Sequence, residues 1–169
     1  SHGSKRRSAI GNGRCTRRRM CMSKVARRDL GWLEGLIDGE GCLSLYKTKR
    51  ETIRGFQWYS SVVINNTDRR LLEHAQKIIG GGHLNGPYRN GNPNWKPIYM
   101  FRIGPNLQRK WLPRLHLITK EQHRLLLIET LSLLSEHIGR NHGVHDSRLE
   151  QIFLEFRKLN RWQRRDDSR

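Results

Sequence analysis

Residues Leu30–Gly41 read LGWLEGLIDGEG. Glycine stands at Gly31, Gly35 and Gly39, every fourth position, so in a helix all three lie on one face. A glycine inside a helix costs roughly 0.8–1.0 kcal/mol against alanine, so this stripe costs about 2–3 kcal/mol. A domain has only about 5–15 kcal/mol of net stability, so something must offset the loss. A face without side chains lets another backbone approach closely. Two helices meeting along such stripes would pack at the near end of the usual range of about 8–10 Å. Leu33, Leu36 and Ile37 lie off the stripe and fit the chain's own core. Such packing would set two helix ends side by side, each with its Glu40.

The chain has 169 residues and is 35% hydrophobic, which suits one domain with a modest core. It contains no apolar run of the length needed to span a membrane, so none is expected. The net charge is +18, and residues 5–28 carry ten Lys or Arg and no acid. From Asp29 onward 23 basic residues face 15 acidic ones, a net +8, so the folded part is basic as well as the tail. That balance favours a polyanionic partner, most simply nucleic acid.

Residues 1–28 form a basic tail with little apolar periodicity, and its first four residues, SHGS, read as a cloning remnant. The rest is Arg-rich, Ser-bearing and acid-free, which fits either a phosphate-binding arm without fixed structure or an organellar, transit-like leader. No apolar core of a secretory signal is present in it. Cys15, Cys21 and Cys42 are odd in number and form no CxxC pair. A disulfide framework is therefore not expected, and a reducing intracellular setting is, either prokaryotic cytoplasm or an organelle.

Residues 29–165 read as one domain. After the glycine-striped helix, CLSLYKTKR alternates as a strand, and FQWYSSVVINN is a second strand rich in aromatic and β-branched residues. Thr67 or Asp68 caps a helix DRRLLEHAQKII, which GGG at 80–82 stops. HLNGPYR and KPIYMFRIG make a second hairpin. Pro105 opens a short helix through Trp111, since proline suits the first helical turn. Thr119 with Gln122 forms a capping box for a strongly apolar helix, and Asp146 caps a last one. The order is α-β-β-α-β-β-α-α-α, and the class is α+β: a four-stranded antiparallel sheet with helices packed on one face. The other face must meet water or a ligand. Trp111, Leu112 and Leu115 read as core. His137, His142 and His145 have no structural zinc spacing and read as an exposed loop.

Glu40 follows a helix C-terminus, where the dipole disfavours a carboxylate. A second carboxylate at a paired helix end adds to the penalty. A divalent cation offsets both, and Mg²⁺ takes one or two carboxylates with carbonyls and waters. Gly39 offers a carbonyl. The alternative is an acid in an exposed turn.

LEGLIDGEG resembles the signature of the LAGLIDADG homing endonucleases. Glu40 matches the motif's last acid and Asp38 the acid two residues earlier. INNTDRRLL, the triple glycine, the second hairpin, TKEQ before a long helix and KLNR near the end follow in that family's order, over about residues 29–165. The resemblance implies the αββαββα homing-endonuclease fold and a homodimer whose motif helices pair at the two-fold axis through Gly31, Gly35, Asp38 and Gly39, Asp38 being structural at the helix end. It implies that the two Glu40 carboxylates, with Gly39, hold Mg²⁺ at scissile phosphates of opposite strands, with Mn²⁺ or Ca²⁺ able to replace it in binding. The reaction so implied is phosphodiester hydrolysis leaving 3′ overhangs. Asn65 matches a polar residue that orders water at the metal site, Arg69 a basic residue near the scissile phosphate, and Lys120 best matches the active-site lysine, with Thr119 or His116 as the alternatives for that place. Glu34 stands where the family usually has alanine. Facing a partner helix it would need a basic partner or solvent; otherwise it points outward.

A two-stranded ribbon fits the DNA major groove, and strand residues alternate between faces. The open face is accordingly read as the DNA-binding one. Ser44, Tyr46, Thr48 and Arg50 form its set on the first strand, with Lys47 and Lys49 reaching phosphates from the strand's outer end. Gln57, Tyr59 and Ser61 form the set on the second strand, with Trp58 open to either face. Asn85, Arg89 and Lys96 come from the second hairpin, and Arg161 from KLNR. The function expected is site-specific cleavage of double-stranded DNA at a long, near-palindromic site, with an intron-encoded origin. The alternatives are an RNA-binding factor that assists intron splicing and a non-catalytic DNA-binding regulator. Glu40 argues against both, since a pure binder gains nothing from a carboxylate aimed at phosphates.

Overall fold

The computed structural model of the chain describes residues 25–49, 56–89, 91–136 and 147–166, the backbone alone for 136 and 161–166. Helix α1 spans Arg27–Glu40, β1 Gly41–Lys49, β2 Phe56–Asn66, α2 Arg69–Ile79, β3 His83–Tyr88 and β4 Ile98–Ile103. Then come α3 (Pro105–Trp111), a 3₁₀ turn (Leu112–Arg114), α4 (Glu121–Glu136) and α5 (Ser147–Asp166). The strands form one antiparallel sheet in the order β1-β2-β4-β3. The second strands of the two hairpins thus pair at the centre. The class and the element order agree with those read from the sequence.

Period-two alternation makes the sheet two-faced. Leu43, Leu45, Trp58, Val62, Ile64, Phe101 and Ile103 are all buried and lie on one face. The helices cover that face with Leu33 and Ile37 of α1, Leu72, Ala75 and Ile79 of α2, Leu127 and Leu131 of α4, and Leu149, Ile152 and Phe156 of α5. Each of the Leu, Ile and Phe side chains contributes roughly 1.5–3 kcal/mol when fully buried. Trp58 therefore belongs to the core, with its ring edge-on to Phe153 at 5.8 Å. Trp111, Leu112 and Leu115 are core residues too, and the Trp111 indole donates to the Ile79 carbonyl at 3.0 Å.

Local signals set most helix ends. Asp68 caps α2 by accepting from the Arg70 amide at 3.0 Å, and Gly80 ends it at φ 76°, a left-handed value suited to glycine. Pro105 opens α3 as expected. Two boundaries move. Arg27 and Arg28, read as the end of the tail, form the first turn of α1. Helix α4 begins at Glu121, and Thr119 and Gln122 form no capping box: the Thr119 hydroxyl donates to Asp38 of α1 instead. Arg50, Asp146 and the histidines 137, 142 and 145 lie outside the described residues. Among the described residues no helix is long and apolar enough to cross a membrane.

Candidate active site and nucleic-acid interface

Helix α1 runs into β1 with no loop between them. The Gly41 amide closes the last turn on the Ile37 carbonyl, and a Cβ at Gly41 would lie 2.5 Å from that oxygen. Only glycine allows so tight a junction, and the junction fixes Glu40. Glu40 stands three residues after Ile37 and seven after Leu33, on the side of α1 that faces the sheet. One turn further along, however, the core has ended. Glu40 is exposed and makes no hydrogen bond or ion pair among the described residues. Gly41–Ile64 is the last pair of the β1–β2 ladder, so Glu40, the last residue of α1, and Asn65, which pairs onward with Met100 of β4, each stand one residue beyond it in the chain.

Lys120 comes to the same place from the connector before α4. Its ammonium donates to the carbonyls of Ile37, at 3.0 Å, and Asp38. Its bond to the Ile37 carbonyl adds to the one that oxygen already takes from the Gly41 amide, and at the C-terminal end of α1 a cation also complements the dipole. Burial pushes the Lys120 ammonium below its usual range, against the opposing pull of Asp38, Cys42 and Glu40.

Asp38, read as a structural residue at the helix end and assigned to the dimer interface, is bound within its own chain. Its carboxylate accepts from the amides of Ile118 (2.6 Å), Thr119 (3.2 Å) and Lys120 (3.1 Å) and from the Thr119 hydroxyl (3.0 Å). Burial raises its pKa, but these bonds outweigh it and the net shift is downward. The carboxylate is thus committed to the connector of its own chain. Glu34, one turn earlier, accepts from the His116 amide at 2.8 Å, an intrachain partner that the sequence reading did not name. Gly31, Gly35 and Gly39 are exposed, and a Cβ on any of them would meet nothing within 4 Å. The stripe is bare.

Beyond Asp38, the connector is held by α4's own first turn. Glu121 accepts from the Leu117 amide at 3.1 Å and from the Arg124 guanidinium, whose Nη1 donates to the Leu112 carbonyl at 2.8 Å. The Arg124 guanidinium holds the Glu121 carboxyl well below the usual range, at about 2.

The open sheet face carries most of the side chains assigned to it. Register pairs Ser44 with Ser61, Tyr46 with Tyr59 and Thr48 with Gln57, all opposite the buried set. Asn65, Met100 and Asn85 form a second row across β2, β4 and β3. Tyr46, Thr48, Tyr59, Ser61, Asn65 and Met100, with Cys42, Val63 and Arg102, line a shallow concavity of about 650 Å³. Arg89 and Lys96 are exposed near the ends of the second hairpin.

Lys47 is the exception. It shares the parity of Leu43 and Leu45, so it lies on the helix face: its ammonium meets Glu150 of α5 at 2.5 Å and sits 3.8 Å over the Phe56 ring. It does not reach toward a ligand on the open face. Lys49 has the same parity and is exposed at the strand's end. Arg69 is exposed at the first turn of α2, its guanidinium paired with Glu73 at 2.8 Å. The side chain of Arg161 is outside the described residues.

The sequence reading missed one row. Cys42, Val63, Arg102 and His83 lie side by side across all four strands on the open face. Arg102 is exposed on a central strand and makes no hydrogen bond or ion pair among the described residues. The signal was present: Arg102 alternates with the buried Phe101 and Ile103.

No protein-family model matches the chain, and no curated protein does. Solved structures match in fold. The archaeal intron-encoded homing endonuclease I-Vdi141I, solved with DNA, superposes with a TM-score of 0.59 at 21% identity, covering 78% of this chain and 83% of that one. The group I intron-encoded homing endonuclease I-CeuI, also solved with DNA, gives 0.56 at 14% identity over 68% and 59%. The LAGLIDADG meganuclease I-CpaMI, bound to uncleaved DNA, gives 0.51 at 19% over 76% and 48%, so this chain spans about half of that protein. The fold of this chain is that of the LAGLIDADG homing endonucleases.

Proposed function

We propose that the protein is a divalent-metal-dependent, site-specific double-strand DNA endonuclease that acts as a homodimer. One observation carries the reading: the exposed Glu40 carboxylate, which makes no hydrogen bond or ion pair among the described residues, ends α1 where the Lys120 ammonium caps that helix.

The residues fit a hard cation. No group of three His, Cys, Asp or Glu side chains gathers among the described residues, so no closed cage exists. Mg²⁺ rarely needs one: it keeps waters and uses one or two carboxylates with substrate phosphates. Glu40, with the Gly39 carbonyl, would hold it, and Mn²⁺ or Ca²⁺ would replace it in binding. When bound, such an ion activates water and stabilises charge on the phosphate oxygens.

The chain's own groups do the rest. Asn65, exposed one residue beyond the same end of the β1–β2 ladder, orients water toward the scissile phosphate. Lys120 keeps the end of α1 rigid and adds positive charge. Arg69 reaches the phosphate by leaving Glu73, an exposed pair worth about 1 kcal/mol or less. Cutting both strands needs two sites. The bare stripe of Gly31, Gly35 and Gly39 gives a second copy a surface for close backbone packing, which sets two Glu40 residues near the axis. A two-fold protein calls for a near-palindromic target.

The test is cleavage of a randomised double-stranded DNA library with Mg²⁺, wild type beside Glu40→Gln. Discrete, near-symmetric cuts lost in the variant while binding persists support the reading. Tight DNA or RNA binding without cutting in either protein would replace it with a binding or splicing role.

A further inference from the structure

Two carboxylates of α1, Glu34 and Asp38, stand one helical turn apart and hold the connector that precedes α4. Glu34 takes the His116 amide at 2.8 Å, and Asp38 takes the amides of Ile118, Thr119 and Lys120. The connector answers through Lys120, whose ammonium caps the Ile37 and Asp38 carbonyls. The grip is reciprocal: α1 holds the connector by side-chain acceptors, and the connector holds the end of α1 by a side-chain donor. Glu40 is two residues past the second capped carbonyl. Any slack in the connector therefore moves Lys120, and with it the end of the helix that carries Glu40.

From this geometry we infer that Glu34 is a positioning residue for the proposed nuclease site: by anchoring His116 it sets the connector against α1 and so fixes Lys120 relative to Glu40. Asp38 holds the connector from Ile118 onward, and Glu121 holds it at Leu117. Glu34 adds the anchor at His116, at the mouth of the segment that leaves the buried Leu115. Glu34 touches no proposed metal or phosphate position. It acts through the backbone of another element, and an uncharged acceptor of the same shape should do the same work.

The inference rests on the nuclease reading, and its test separates the two. Wild type, Glu34→Ala and Glu34→Gln are compared by amide hydrogen exchange over residues 115–121, by DNA affinity in Ca²⁺ and by the single-turnover cleavage rate in Mg²⁺. Glu34→Ala should speed exchange at His116 by roughly tenfold, the worth of one charge-assisted hydrogen bond. Its cleavage rate should fall about tenfold or more, as misplacement of reacting groups does, while DNA affinity stays within about twofold of wild type. Glu34→Gln should restore most of both. Unchanged exchange in Glu34→Ala overturns the inference. So does faster exchange with unchanged cleavage, or a cleavage loss matched by an equal loss of DNA affinity. A wild type that cuts nothing overturns the nuclease reading and the catalytic part of this inference, and exchange at His116 still reports whether Glu34 holds the connector.

Discussion

Glu40 and Asp38 are two residues apart and do different work, because one lies past the end of the core and the other faces the connector. Glu40→Gln keeps the shape and removes the charge. It should lower cleavage by a hundredfold or more, on the order of what one charge-stabilising group supplies, with DNA affinity in Ca²⁺ little changed. A paired test separates the faces of β1 and β4. Arg102→Ala should weaken binding to the cognate site by about 1–3 kcal/mol, the worth of a base-edge contact. Lys47→Met should leave affinity unchanged, because its ammonium already pairs with Glu150 behind the sheet. Titration of labelled target DNA with each variant measures both. If Lys47→Met weakens binding as much as Arg102→Ala, the face assignment is wrong.

At the scale of elements, the junctions matter more than the interiors. Gly41→Ala places a Cβ 2.5 Å from a backbone oxygen that cannot move without breaking the α1–β1 turn. It should lower stability by about 2 kcal/mol or more, read from denaturant melts, and such overpacking falls within the usual range. Gly35→Ala meets nothing and should stabilise the isolated monomer by about 1 kcal/mol through helix propensity. If the stripe is a contact between copies, the same change should weaken dimerisation, so monomer stability and sedimentation should move in opposite senses.

The first turn of α4 brings a pH dependence. Glu121 is held at about 2 against an ordinary 4.5, a depressed acid. Its stabilisation is complete above 4.5 and lost as pH falls through 2, and the stability gap between wild type and Glu121→Gln should close over that window. Thermal melts of both proteins at pH 6 and at pH 2.5 check this. The turn also shows where sequence reading stopped. Alternation placed Ser44, Tyr46, Thr48, Tyr59 and Ser61 correctly, and Pro105 and Asp68 marked helix starts, because those signals act over a few residues. Lys47 broke the scheme: a long charged side chain was assigned by its chemistry when its parity already decided its face. The partners of Glu34 and Asp38 lie about 80 residues away in the chain, and no local pattern names them. The open carboxylate was legible from the motif; what holds it in place was not.

For the whole molecule, charge sets the behaviour in solution. At +18, with a broad open face, binding should fall steeply with salt. If about six or more phosphates are neutralised, affinity should drop roughly a thousandfold between about 50 and 200 mM salt. Fluorescence anisotropy on one duplex across that range measures the slope, and a flat response would remove the polyanion argument altogether.

The reciprocal grip between α1 and the connector also bears on the order of events in folding. The Asp38 carboxylate and the Lys120 amide that meet are 82 residues apart. Closing so long a loop costs entropy that local contacts must first offset. Hairpins and single helices can form while the chain is still being synthesised, but the Asp38 carbonyl of α1 waits for its cap until Lys120 arrives. The site is therefore among the last parts to gain order. Pulse-labelled exchange during refolding should show the 118–120 amides protected later than those of β1 and β2. A half-made chain would carry Glu40 without its surroundings, and the proposed cutting activity would wait until the fold is closed.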